Sequence, residues 1–289
     1  MEYLIHLAIL VGIYAILAMT LNLVVGYTGL LSVTHAAFSG IGAYAVALLM
    51  TLAHWNFFPA LLVGIGIALI ASFFIGYVLS GLGGDYYVLG TVGFNFIIYS
   101  IFLNWQDLTR GPLGIPGIPR PEFFGFSFSS NLAFLFFVVL WCALVWYVCR
   151  WITHSSFGRA LKGIREDEVA LQVFGYKTIN YKLVVFMISA GLASIAGALF
   201  AVYISFIDPS TFTIDESIFI LAIIILGGLA NLRGSVLGAL FLVLLPEFLR
   251  FVGFPTDIAA QMRLFTYGAL LVVLMMYRPQ GLVGEYKLQ

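Results

Sequence analysis

MEYLIHLAILVGIYAILAMTLNLVVGY, residues 1–27, holds one charged side chain, Glu2, and otherwise runs apolar for longer than the ~20 residues an α-helix needs to cross a bilayer. A secretory signal would open on a basic segment and carry an apolar run of only ~7–15 residues. This stretch has neither feature and reads as a retained span. The rest of the chain repeats the pattern. Hydrophobic residues make up 62% of the 289 positions and charged residues 9%, against about 25% charged in soluble domains. So apolar a chain needs lipid as its solvent. Its apolar runs are continuous and do not alternate with period two, so a closed β-barrel is excluded and the fold class is all-α, a polytopic bundle of transmembrane helices.

Apolar stretches begin at about Tyr3, Leu30, Phe58, Tyr86, Asn131, Leu183, Ser217, Ser235 and Arg263, which makes nine spans within a range of eight to ten. The pair around Gly227 to Gly238 has a second reading, a re-entrant hairpin. Lys and Arg orient the bundle, because cytoplasmic loops carry their excess. Arg150, Arg159, Lys162, Arg165, Lys177 and Lys182 fall between the fifth and sixth spans, and Arg278 and Lys287 follow the last. With these and Arg233 inside, only Arg110, Arg120, Arg250 and Arg263 are left outside, nine against four. The expectation is a single membrane domain over 1–289, with its N-terminus outside and its C-terminus cytoplasmic. It has an external loop at 104–130 and a cytoplasmic loop at 150–182 that carries one coupling helix.

Several chemistries are absent from the sequence. The net charge is zero, so no nucleic acid or acidic partner is implied. Cys142 and Cys149 lie on one face of an apolar helix and read as packing residues. His6, His35, His54 and His154 are scattered, with no pair at metal-ligand spacing. No phosphate-binding G-x-x-x-x-G-K-[ST] occurs. The acids Asp85, Asp107, Glu122, Asp208, Asp215, Glu216 and Asp257 read as loop or span-end residues, and Glu247, near the outer end of the eighth span, as a carboxylate reaching the interface beside Arg250. This leaves no mid-membrane carboxylate to couple transport to protons.

Two stretches carry the functional signal. In LNLVVGYTGLLSVTHAAFSGIGAYAVALL, residues 21–49, Gly26 to Gly29 breaks the helix, and the next span opens with Ser32, Thr34, His35 and Ser39 among small residues. One reading is close helix packing with hydroxyls bonded across it. The other is a solute path lined by a broken helix. Asn22, Thr91 and Asn95 on neighbouring spans share this ambiguity, as interhelical hydrogen bonds or solute contacts. A second Gly-rich corner, residues 226–240, resembles the first in composition. The proline- and glycine-dense loop 104–125 reads as a stiff cap on the bundle or as a docking surface for an external partner.

The other stretch is FGRALKGIREDEVALQVFG, residues 157–175, where six charges lie between Arg159 and Glu168. Ala160, Leu161, Ile164, Leu171 and Phe174 recur at helical spacing, Arg159, Lys162, Arg165 and Glu166 lie elsewhere on the wheel, and Gly175 offers a C-terminal stop. A helix lying on anionic lipid favours Lys and Arg alone, whereas Glu166, Asp167 and Glu168 favour a protein partner. In that reading the apolar face of Ala160, Leu161 and Ile164 supplies the buried contact, and Arg159, Arg165 and Glu166 set the register.

GLLSVTHAAFSGIGAY, GDYYVLGTVGF, LTRGPLGIPGIPRP, FGRALKGIREDEVALQVFGY and GGLANLRGSVLGA, in this order from residue 29 to 239, resemble the membrane permeases of branched-chain amino acid ABC transporters, specifically the M-type subunit. The resemblance implies a transport subunit of the bacterial inner membrane that catalyses no covalent chemistry. Its implied partners are a related second permease, two cytoplasmic ATPases that use ATP, and a periplasmic solute-binding protein. No cofactor bound by this chain is implied. The implied solutes are leucine, isoleucine and valine. Relatives that carry urea or other small polar solutes provide an alternative, and a self-contained channel or facilitator provides another. The loop between the fifth and sixth spans would engage the ATPase, with Glu168, Val169 and Ala170 followed by Gly175 in a loose match to the corresponding loop of ABC permeases.

Overall fold

The structure is a computed structural model and describes residues 2–123, 126–251, 266, 268, 269, 272, 276, 277 and 280–283. Eleven helices follow one another among the described residues: α1 (Glu2–Thr28), α2 (His35–Thr51), α3 (Phe57–Ser80), α4 (Asp85–Asn104), α5 (Gln106–Thr109), α6 (Asn131–His154), α7 (Ser156–Glu166), α8 (Glu168–Val173), α9 (Thr178–Ile204), α10 (Ile214–Gly227) and α11 (Leu232–Phe251). Two-residue strands β1 (Ile115–Pro116), β2 (Glu122–Phe123), β3 (Phe126–Ser127) and β4 (Phe206–Ile207) make two small antiparallel pairs, β1 with β4 and β2 with β3.

Side-chain oxygens set several helix starts. The Asn56 side chain accepts from the Phe57 amide ahead of α3, and Ser130 from Ala133 ahead of α6. Ser155 accepts from Gly158, and Asp167 from Ala170, at the starts of α7 and α8. Asp167 is extended and caps α8 at the point where the sequence alone reads one continuous helix over 157–175; its short side chain closes a local turn instead of continuing the helix. Gly175, at φ +86°, takes the left-handed conformation beyond α8, as its expected role of helix stop requires.

At the centre, α2 is buried almost throughout, as are α1 from Ile13 and α9 from Ser189 onward. Where α2 crosses α9, a Cβ at Gly42 would strike the Ser194 carbonyl, and one at Gly197 would strike the Ser39 carbonyl. Only hydrogen fits at these two points, and backbones that close gain dispersion contacts which lipid-facing helices cannot obtain from a hydrophobic effect. Around this centre, α3, α4 and α6 turn large apolar side chains outward, among them Leu62, Ile70 and Phe74 of α3, Phe96 and Ile97 of α4, and Phe136, Leu140 and Tyr147 of α6. Faces of that size are not stable in water. Five described helices are long and apolar enough to cross a membrane. The chain is an integral membrane protein.

Against the nine expected spans, α2 has 17 residues, or ~26 Å, and α10 has 14, or ~21 Å. Both fall short of a ~30 Å hydrocarbon core. Between α10 and α11 the chain bends by 118°, so this corner has the geometry of the hairpin reading as much as that of two full spans. The expected last span, from about Arg263, falls largely outside the described residues, together with Arg263, Arg278, Lys287 and Asp257. One end of the bundle gathers the start of α1, where Glu2 accepts from Asn131, and the loops paired through Ile115 and Ile207. The loop 104–130 is thus tied to the bundle, with Ile115 and Ile118 buried. The opposite end carries the end of α1 with α7 and α8.

Gly197→Ala should lower stability by about 1–3 kcal/mol through overpacking against the Ser39 backbone. The readout is an earlier unfolding midpoint of the detergent-purified chain in a dodecyl sulfate titration. An unchanged midpoint would refute the close crossing.

Candidate functional site

Residues 29–34 run without helix, and from Ser32 to Thr34 they are buried in the bundle, where their peptide groups have no water to bond. Side chains from other helices serve instead. Thr91 Oγ1 lies 3.4 Å from the Val33 amide, Asn95 donates to the Val33 carbonyl at 3.0 Å, and the Ala36 amide donates to Ser217 Oγ at 3.0 Å. Asn95 also donates to Ser217 at 3.0 Å, which links α4 to α10 beneath the segment. Ser32 and Thr34 share a hydrogen bond of 3.0 Å. His35 Nε2 lies 3.0 Å from Ser189 Oγ of α9, and Ser189 donates to the Thr20 carbonyl of α1 at 2.6 Å. Five of the expected path residues, Ser32, Thr34, His35, Thr91 and Asn95, therefore form one buried polar cluster. Two of its atoms, His35 Nδ1 and Asn95 Oδ1, are buried with no hydrogen-bond partner. Such orphans cost about 1–3 kcal/mol each unless a solute or water meets them.

Asn22 does not join that cluster. It clamps the second break, at 228–231: its Nδ2 donates to Ser235 Oγ at 2.7 Å and to the Asn231 carbonyl at 3.1 Å, and its Oδ1 accepts from the Ala230 amide at 2.9 Å. Ser39 lies apart as well. Its hydroxyl turns back to the Ala36 carbonyl at 2.9 Å and it lines a small cavity of about 30 Å³ between α1, α2, α9 and α10.

That cavity contains the residue which sequence reasoning missed. Glu216, expected at a span end, sits in the first turn of α10 and accepts from Tyr14 Oη at 2.6 Å. Leu17, Phe200 and Phe212 complete an apolar wall around the one carboxylate. The run Thr213-Ile-Asp-Glu216 has the spacing of a helix start with an acid in the third position, a signal that places Glu216 on the helix. Nothing local points to Tyr14, 202 positions away.

On the opposite end, α7 faces inward. Ala160, Leu161 and Ile164 are buried by the chain itself, so the apolar face expected to meet a partner is already covered. Arg165 donates to the Gly26 carbonyl at the end of α1, where the last carbonyls lack intrahelical donors. Lys162 lies 5.7 Å from the Tyr27 ring centroid. Glu168 is paired with Lys182 of α9 at 2.5 Å and accepts from Thr178 at 2.8 Å, which compensates an otherwise buried ammonium. Arg159, Glu166 and Asp167 remain exposed. So do Val169, Val173 and Phe174 of the α8 turn, the last two at 82% and 80%. The outward apolar surface of this end therefore belongs to α8 and Phe174, just ahead of Gly175, because packing on α1 has taken the face of α7.

Residues 3–275 match the family described as branched-chain amino acid transport system / permease component. The chain is 35% identical to the high-affinity branched-chain amino acid transport system permease protein LivM of Escherichia coli K12, over 96% of this chain and 69% of that protein. It is 26% identical to the probable branched-chain amino acid transport permease protein LivM of Methanocaldococcus jannaschii, over 95% and 91%. An autoinducer 2 import system permease protein LsrC of Salmonella typhi is 27% identical over 61% of this chain and 50% of its own length. No solved structure matches the chain. A family match across nearly the whole bundle joins a polytopic helical fold whose helices break around buried polar groups, and the chain belongs to the family of permease components of branched-chain amino acid transport systems.

Proposed function

We propose that this permease is one membrane subunit of an importer for leucine, isoleucine and valine in the bacterial inner membrane. In this reading it pairs with a related second permease and receives solute from a periplasmic binding protein. ATP bound and hydrolysed by two cytoplasmic ATPases drives it, and the chain itself binds no cofactor. The sequence has no nucleotide-binding loop, and its relatives are named as permease components of transport systems. The N-terminus is external and the α7–α8 end cytoplasmic, as the excess of Lys and Arg there suggests. Residues 29–34 extend α2 toward a full crossing. The α10–α11 corner leaves the parity unchanged, whether it counts as two crossings or as a hairpin, so about nine spans and the same sidedness remain compatible.

The cavity below Glu216 carries the substrate reading. An amino acid with a branched side chain presents an ammonium and an apolar body. A carboxylate on an apolar wall formed by Leu17, Phe200 and Phe212 is complementary to both. At about 30 Å³ the cavity has room for one water, so the path is shut here and must open for a solute to pass. Ser39 lines the same cavity, and His35 and Asn95 offer their orphan atoms deeper in the bundle. Ser32, Thr34 and Thr91 hold the unwound segment in shape, and Asn22 does the same for the second break.

Three outcomes are expected. With both native cysteines replaced by serine, a cysteine at Ser129 should react with an impermeant maleimide added outside intact cells, and one at Gln172 only after permeabilisation; the reverse pattern would overturn the orientation. Glu216→Gln keeps the shape of the side chain and removes its charge. It should cut uptake of labelled leucine at least tenfold with the complex still assembled, and wild-type uptake would remove Glu216 from the path. Val173→Asp with Phe174→Asp should release the ATPase on detergent extraction, since an interface loses most of its affinity with its central apolar anchors. Retention of the ATPase at wild-type levels would take α8 out of the contact.

A further inference from the structure

At the α7 end of the bundle a cavity of about 310 Å³ lies where four elements meet. Arg150 and His154 reach it from the last turns of α6, Lys162 from α7, Tyr27 from α1, and Asn231 and Arg233 from the start of α11. Three fixed cations and an imidazole thus surround one space. Arg150 and Arg233 are exposed, and the Lys182–Glu168 ion pair lies apart from them, between α9 and α8. No described carboxylate neutralises the cluster. Like charges gathered around one cavity repel unless an anion lies between them, and the donors here are Arg forks and an ammonium, the set that suits phosphate oxygens.

A second groove, about 390 Å³, shares Arg150 and His154 with this cavity and passes over Tyr147 and Trp151. These two rings are 70% and 69% exposed. Leu140 and Leu144 continue the same face of α6 away from the cations and are exposed too. A cationic cavity therefore opens onto a strip edged by Tyr and Trp and then wholly apolar, the order of chemistry met on passing from a lipid headgroup into acyl chain. A soluble anion would use only the cavity. A molecule with a phosphodiester and acyl chains would use both.

We propose that this cavity binds the phosphodiester headgroup of an anionic phospholipid of the cytoplasmic leaflet, with an acyl chain laid along Trp151, Tyr147 and Leu144 of α6. The lipid would tie together the ends of α6 and α1, the α7 helix and the start of α11. The proposal rests on the membrane orientation given above and not on the identity of the solute, so a failed leucine-uptake assay leaves it standing.

The experiment titrates the purified full chain in detergent with phosphatidylglycerol, with phosphatidylcholine of the same acyl chains, or with inorganic phosphate alone. Bound lipid is counted by native mass spectrometry and protection by the thermal unfolding midpoint. Phosphatidylglycerol is expected to bind at least tenfold more tightly than phosphatidylcholine, and inorganic phosphate not to protect. The double variant Arg150→Gln, Arg233→Gln should lose roughly 25-fold in phosphatidylglycerol affinity, about fivefold for each charge removed. Arg150→Lys with Arg233→Lys should keep most of the affinity and serves as the control for folding. Equal affinity for the two lipids would overturn the proposal, as would an undiminished preference in the Gln variant. Protection by inorganic phosphate equal to that by phosphatidylglycerol would assign a soluble anion instead. Loss of the lipid once the ATPase and second permease are assembled would assign the cavity to an acidic partner segment.

Discussion

A peptide group that leaves a helix inside hydrocarbon has no water to bond, and an unmet amide or carbonyl there costs several kcal/mol. This chain leaves the helix twice, at 29–34 and at 228–231, with residues 32–34 and 228–230 buried, and the arrangement of the other helices follows from how those buried groups are met. Thr91 and Asn95 hold α4 against the first break, and Ser217 brings in α10. Asn22 holds α1 against the second, accepting from the Ala230 amide and donating toward the Gly228 and Asn231 carbonyls and the Ser235 hydroxyl. Each staple joins residues tens to hundreds of positions apart. Polar side chains in such a bundle therefore specify which helices are neighbours, a task that apolar packing alone performs weakly between apolar surfaces in lipid.

The same requirement separates structural from available polar atoms. Once the first break is satisfied, most of the buried hydroxyl and amide capacity around it is spent. What remains is His35 Nδ1, at the start of α2, and Asn95 Oδ1, on α4. Packing and path are thus compatible roles for one cluster. Asn95 bonds the break through Nδ2 and His35 bonds Ser189 through Nε2, and each side chain leaves its other polar atom buried without a partner.

Much of this was legible in the sequence, and the illegible parts share a cause. The long spans were plain because length and apolarity are local properties, and the free, buried Cys149 matches its reading as a packing residue. Gly26 to Gly29 marked the first break within a few residues, although α1 holds its helix to Thr28. What failed was anything decided by a distant partner. The wheel of 157–175 showed an apolar face on Ala160, Leu161 and Ile164 but could not show that α1 and α6 cover it. The charge of Arg165 suggested specificity toward a partner, and only the Gly26 carbonyl reveals that it points home. Glu216 does lie at a helix start, as its span-end reading had it, but its bond to Tyr14 could not be read because that donor lies 202 positions away.

These contacts also determine where a displacement of the α7–α8 unit must go. Arg165 grips α1 at Gly26, about one helical turn beyond Asn22, so a pull on α7 reaches the clamp of the second break through a continuous helix. On the other side, Glu168 holds Lys182 and Thr178, so a pull on α8 enters α9 at its first turns. Rigid secondary elements can carry displacement between sites, which makes α1 and α9 two of the routes out of the unit, beside α6, to which α7 is directly joined. The α1 and α9 routes converge on one residue. Ser189 of α9 bonds both the Thr20 carbonyl of α1 and the ring of His35 in α2, so sliding of α1 against α9 must break or re-form the Ser189–Thr20 bond, made by the same hydroxyl that meets His35 beside the unwound segment.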